Sequence, residues 1–254
     1  MLPEDPPGFV VRTEAQKAAW DNGFRIERGV EGGWLHYAST TAPGNLWLAA
    51  ASPNGPWLLS IDHAGVTAEL GAPAASAFPG PGLATLAFDT LSQLHASLGR
   101  VYTLAISLPD APLTRFRVKI AGLPRTTEAE RLVVQRIGQD VFRDALMAYW
   151  GGRCPLTGVT EPALLRASHI VPWSECGDEQ RLDVHNGLLL SALWDAAFDA
   201  GLVSFADDGT VLVSPRLNQV AQRVLAINTV EPLKNLRDAH RANLRAHRGR
   251  HGFL

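Results

Sequence analysis

The sequence predicts an α+β protein in two parts, a mostly antiparallel N-terminal sheet with helices and a C-terminal domain that opens with a connector helix. Three observations predict it. Residues 24–28, 34–40, 45–52 and 56–62 are short runs rich in aromatic and branched residues, each bounded by Gly, Pro or Asn. Thr127 followed by Glu130 is a capping box ahead of a pattern with Val133, Ile137 and Val141 at four-residue spacing. From Arg153 to Gly201 an apolar run, a polar loop and a helical pattern follow one another.

Taken in order, residues 1–12 read as a loosely docked arm and Thr13 as the cap of a helix over 14–22. The segment Ser52-Pro53-Asn54-Gly55-Pro56 is a turn between two strands. A loop with Pro73, Pro79, Gly80, Pro81 and Gly82 leads to an expected helix over 83–98, with Leu83, Leu86, Leu91 and Leu94 near one face and Gly99 as its stop. Two more strands are expected over 101–108 and 114–121. Gly122 to Pro124 marks the boundary between an N-terminal domain, 1–123, and a C-terminal domain, 124–254. The connector helix runs to about Trp150 and stops at Gly151-Gly152. Residues 202–206 and 210–214 alternate around Asp207-Asp208-Gly209 as a hairpin. The end of the chain, with Leu233, Leu236, His240 and Leu244, reads as a basic helix.

The 254 residues carry a formal net charge of −2 and are 46% hydrophobic. No apolar run approaches the length needed to cross a bilayer. The N-terminus lacks a basic region followed by an apolar one, so no signal peptide is read. Two cysteines, Cys154 and Cys176, are too few for a disulfide framework or a four-cysteine zinc site, and they fit a reducing cytoplasm. The charge is unevenly spread. Residues 216–254 hold eight Lys/Arg against two Asp/Glu, a basic surface suited to a polyanion, with Arg241, Arg245 and Arg248 as candidate DNA contacts. In the N-terminal part Trp34, Trp47 and Trp57 are sheet packing on the simplest reading. Their alternative is a stacking surface or base pocket.

The central stretch carries the chemistry. His169 ends an apolar strand-like run, Asn186 follows a polar loop, and Asp195 lies nine residues on in a helical pattern. Cutting a phosphodiester needs a base for the attacking water and stabilisation of charge on the phosphate and the leaving oxygen. An imidazole suits the first role, and oxygen ligands holding Mg²⁺ or Mn²⁺ suit the second. On this reasoning His169 is the base, Asp195 a metal ligand, and Asn186 a loop orienter or second ligand. Asp199, one turn beyond Asp195, is a rival ligand because i and i+4 share a helix face.

These residues resemble the HNH endonucleases, the ββα-metal or His-Me finger group, in the branch without complete zinc-binding cysteine pairs. The resemblance rests on Arg136-Ile137-Gly138-Gln139 with Phe142-Arg143, on Arg153-Cys154-Pro155-Leu156-Thr157-Gly158, and on Ser168-His169-Ile170-Val171-Pro172-Trp173. Asn186-Gly187-Leu188 and Asp195 to Asp199 complete it. It covers roughly residues 130–214. It implies a C-terminal ββα-metal nuclease domain, a divalent metal, DNA as partner, His169 as the general base, and products ending in 5′-phosphate and 3′-hydroxyl. Two departures stand out: Ser168 takes the place of a frequent Asp or His ligand, and Asp195 that of a usual histidine. Structural zinc is not expected. One site cuts one strand, so a double-strand break needs a homodimer or two successive nicks. A sensor domain ahead of a nuclease suggests a restriction or defence enzyme, including one that reads modified bases. The alternatives are a nuclease effector or toxin whose first domain senses a protein or ligand, and a catalytically degenerate DNA-binding protein.

Overall fold

A computed structural model describes residues 2–72, 78–124 and 126–253. The chain divides into two compact units, Met1–Ala111 and Pro112–Leu254, ahead of the boundary expected at 122–124. No helix among the described residues is long and apolar enough to cross a membrane.

The first unit is built on a five-stranded antiparallel meander in the order β1 (Ile26–Glu31), β2 (Trp34–Ala38), β3 (Asn45–Ala50), β4 (Trp57–Ile61), β5 (Ala84–Phe88). Side chains alternate between two faces. On one face Leu35, Leu48, Leu59 and Leu86 align across four strands, and so do Tyr37, Leu46, Ile61 and Ala84. Helix α1 (Phe9–Asp21) packs against β2 and β3, and α3 (Leu91–Ser107) against β4 and β5. The other face carries a separate small cluster of Trp34, Ala49 and Leu58 with Trp47 and Phe78 against it.

Several expectations change here. The arm is docked: the Glu4 N–H donates to Ala50 O at 2.9 Å, and Pro7 is buried. Helix α1 starts at Phe9, so Thr13 lies inside it, its hydroxyl donating to Phe9 O. A short helix, α2 (Ala64–Leu70), follows β4 where none was expected. Residues 83–98 are not one helix. They hold β5 and the first turns of α3, which starts at a capping box between Thr90 and Gln93. The expected strands over 101–108 and 114–121 are helical, in α3 and in α4 (Asp110–Ile120). Branched residues there suggest strands, but Leu94, Leu98, Val101, Leu104 and Ala105 are buried at the three-to-four-residue spacing of a helix face, which outweighs local propensity. Gly99 lies within α3 instead of ending it. Pro73 lies outside the described residues.

In the second unit α5 (Glu128–Tyr149) starts at the Thr127–Glu130 capping box and ends before Gly151. It packs against the antiparallel pair β6 (Leu165–His169) and β7 (Gly187–Ser191). A polar loop with the short helix α6 (Asp178–Arg181) joins those two strands. Helix α7 (Ala192–Asp199) packs on the same pair, and the hairpin β8 (Val203–Phe205) and β9 (Val211–Val213) follows. Helices α8 (Gln219–Val224) and α9 (Asp238–His251) close the chain. The core joins Leu165, Leu188, Leu190, Trp194, Phe198, Phe205 and Leu244, with the thiol of Cys154 inside it. Packing of this kind, at roughly 1.5–3 kcal/mol per buried large side chain, holds the strand pair and the two helices together.

Candidate active site

His169 and Gly187 face each other across the β6–β7 pair. Both point toward α5. A Cβ on Gly187 would sit 2.5 Å from Phe142 Cζ and 2.8 Å from Leu146, so only glycine lets α5 come this close. The gain is a ring stack: Phe142 lies flat on the His169 imidazole at 3.8 Å and 18°, and Trp173 meets its edge at 5.5 Å and 89°. His169 Nε2 lies 2.9 Å from the backbone oxygen of Arg181. A carbonyl can only accept, so Nε2 carries the proton and Nδ1 keeps its lone pair. Burial holds the imidazole pKa below the usual histidine range, reinforced by the Arg181 charge and opposed by the bond to the Arg181 carbonyl. The ring is therefore neutral and oriented at neutral pH.

Asn186 ends a 3₁₀ turn, Val184–Asn186, and is fully buried. Its Oδ1 accepts the Val171 N–H at 2.8 Å. Its Nδ2 donates to Val171 O and to Gln180 O, each at 3.2 Å. Asn186 thus ties the loop that supplies the Arg181 carbonyl. The expectation that it is a metal ligand is corrected: its oxygen is already occupied by a backbone donor inside the core.

Strand alternation turns Ser168 the other way, toward α7. The Ser168 hydroxyl lies 3.4 Å from Asp199 Oδ1. Asp195 is half-buried one turn earlier. Its pKa is raised by desolvation, against the pull of Ser168 and Arg166. Asp199 opens to solvent on one side, yet desolvation and then the Asp195 charge raise its pKa too, with Ser168 opposing. Two carboxylates that repel each other beside a hydroxyl form an oxygen donor set suited to a hard divalent cation. Among the described residues no group of three or more His, Cys, Asp or Glu gathers. Ser168, Asp195 and Asp199 are the oxygen-bearing residues here that could hold such an ion, with water and phosphate oxygens completing its shell.

Residues 154–206, about a fifth of the chain, match the HNH endonuclease family. This chain carries an HNH endonuclease domain. An HNH domain makes the protein a nuclease, a phosphodiester hydrolase; it implies a DNA substrate, and HNH nucleases generally use a divalent metal. No curated protein matches the chain. The matched residues of the HNH domain run from Cys154 to Ala206 and include β6, β7, α7 and β8, hence every residue of the site except Phe142 and Leu146 of α5.

Other expected site residues fall elsewhere. Arg241, Arg245 and Arg248 are engaged within the HNH-bearing unit. Arg245 and Arg248 both pair with Asp207, Arg248 also donates to Phe205 O, and Arg241 donates to Asp207 O and Asp238. They brace the β8–β9 turn against α9, with the Arg245 side chain still largely exposed and the Arg248 side chain mostly covered. Cys176 is buried, with Asn186 Nδ2 3.5 Å from its sulfur. In the first unit Trp34 and Trp47 share a face and line one cavity, whereas Trp57 is buried on the opposite face, paired between Ala50 and Phe88. The three tryptophans cannot form one pocket.

Sequence reasoning missed two supports of His169. Phe142 was visible as part of a motif but not as a stacking partner. Arg181 acts through its carbonyl, which no side-chain pattern can signal.

Proposed function

We propose that this protein is a metal-dependent DNA endonuclease of the restriction or defence class, with a C-terminal cutting domain and an N-terminal domain that reads DNA. The observation that carries the reading is the fixed tautomer of His169: Nε2 tied to the Arg181 carbonyl, Nδ1 available as acceptor. Nδ1 takes the proton of a water as its oxygen attacks phosphorus, a role worth about 10²–10⁴-fold. Phe142 and Trp173 keep the imidazole plane fixed during that transfer. Asp195, Asp199 and Ser168 would hold the cation, Mg²⁺ or Mn²⁺ by the oxygen character of the set. When bound it supplies Lewis-acid stabilisation of charge on the phosphate and on the departing 3′-oxygen. The products are a 5′-phosphate and a 3′-hydroxyl. Each site cuts one strand, so a double-strand break takes a second copy of the chain or a second nick.

The test is cleavage of two plasmids, one carrying modified cytosine and one lacking it, in Mg²⁺, Mn²⁺ or EDTA. The reading expects divalent-ion-dependent nicking and a preference for one plasmid. Equal cutting of both would remove modification dependence. No cutting in any ion would remove the nuclease assignment.

A further inference from the structure

The first unit contains a cavity of about 470 Å³ lined by Arg28, Glu31, Trp34, His36, Trp47 and Pro81, among others. That size falls within the rough 300–1,000 Å³ range of small-ligand sites. It lies on the sheet face that α1 and α3 do not use. Glu31 pairs with Trp34 and Trp47 with His36 across neighbouring strands, so their side chains share this face. The register of β1 skips between Glu27 and Gly29, which makes Arg28 the extra residue of a bulge on an edge strand.

Its floor is held rigid. The His36 and Trp47 rings stack at 4.7 Å and 23°. His36 Nε2 lies 3.1 Å from Asn45 Oδ1, and Asn45 Nδ2 donates to Asp62 at 2.8 Å. A relay from Asp62 through Asn45 thus fixes the His36 ring plane, and with it a flat aromatic surface. On the far side the chain that carries Pro81 is anchored where the Gly82 N–H donates to Ser60 Oγ at 2.8 Å. Of the two charged groups at the mouth, Glu31 opposes an anion and Arg28 opposes a cation. What suits the site is a planar, uncharged ring with both donors and acceptors on its edge.

We propose that this cavity takes up a single nucleobase of the DNA substrate, stacked on Trp47 and His36 and read at its edge by Glu31 and Arg28. The proposal rests on the reading of the first unit as a DNA-binding domain and names the group that it recognises. The energetic logic is that of an extruded base: unstacking costs a few kcal/mol, least where the base is already poorly paired, and stacking on an aromatic side chain returns about 1–3 kcal/mol.

The full-length protein is titrated, in EDTA to prevent cutting, into a duplex with one 2-aminopurine opposite an abasic site. Fluorescence of that base reports its stacking, and a gel shift reports duplex binding. A parallel arm titrates free deoxynucleosides and follows tryptophan emission. The expected result is a saturable fluorescence change with the duplex, weakened about tenfold or more in Trp47→Leu and in Glu31→Ala. Circular dichroism checks the fold. Glu31 is exposed on an edge strand, so that variant keeps the test alive if Trp47→Leu does not fold. Duplex binding without a change in 2-aminopurine overturns the pocket and leaves the DNA-reading domain standing. A response to free nucleosides alone overturns DNA as the source of the base. Wild-type behaviour in both folded variants overturns the proposal outright. Plasmid cutting in Mg²⁺, assayed beside it, reports on the nuclease reading separately.

Discussion

The side-chain amide of Asn186 closes a two-bond ring with the backbone of Val171: Oδ1 accepts its N–H at 2.8 Å and Nδ2 donates to its carbonyl at 3.2 Å. Because the same Nδ2 also reaches Gln180 O, one residue beside Arg181, this clamp sets where the His169 Nε2 partner sits. Asn186→Asp keeps the shape but replaces the donor by an acceptor facing two carbonyls in the core. A loss of about 2–4 kcal/mol is expected in urea unfolding, together with a fall in cleavage at temperatures where the variant stays folded. A variant as stable as the wild type would show that the loop is held by other means.

Gly187→Ala tests the close approach of α5. The added methyl must displace Phe142 or Leu146, which costs about 1–3 kcal/mol. Because Phe142 is also the stacking partner of His169, cleavage should fall more than stability alone explains. Combining the change with Phe142→Leu should restore part of the stability but not the rate. Recovery of both would separate the Phe142 ring from His169 positioning.

Asp195 and Asp199 should differ from other acidic positions in their response to metal. Asp195→Asn removes the charge that helps raise the Asp199 pKa, and Asp199→Asn removes a desolvated carboxylate, so thermal stability in EDTA should hold or rise in each. The Mg²⁺ concentration for half-maximal cleavage should rise, on the order of tenfold or more by analogy with other weakened metal sites. If one substitution leaves the Mg²⁺ titration unchanged, that carboxylate is not a ligand.

His247 gives a pH dependence of stability. It is buried, stacks on Phe198 at 3.9 Å, and bridges Ser204 Oγ and Phe198 O. Burial, with His251 and then neighbouring arginines reinforcing, lowers its pKa from 6.5 to about 4. Between those values the unfolded chain binds a proton that the folded one does not. Stability therefore rises with pH across that window, is fully present above 6.5, and is lost as pH falls toward 4. The full contribution is up to about 3 kcal/mol. Urea midpoints at pH 7, 5.5 and 4.5 would show it, with a flatter profile in His247→Asn; an equal slope in that variant would assign the loss to other groups.

The second unit was far more legible in the sequence than the first. Its turns and caps are written in residues with one structural meaning: the Thr127–Glu130 box, Gly151-Gly152, and Asp207-Asp208-Gly209 between short alternating strands. In the first unit residues 101–107 carry enough branched and aromatic side chains to imitate a strand, and their burial period marks them as part of α3. Thr90 held the cue, since its cap with Gln93 fixes the start of that helix. At the candidate site, His169, Asp195 and Asp199 could be nominated from the sequence because the chemistry proposed for them resides in the side chain. The basic tail was less legible. A count of arginines says nothing of Asp207, the carboxylate with which Arg245 and Arg248 both pair. His247, in the same helix, is a core residue.

The most direct test of the central claim is the single-turnover rate of plasmid nicking in Mg²⁺ by wild type and His169→Ala, at protein concentrations that saturate the DNA. The account predicts a rate reduced about 10²–10⁴-fold with DNA affinity unchanged, because His169 moves a proton and holds no phosphate. A variant that nicks at the wild-type rate would contradict it.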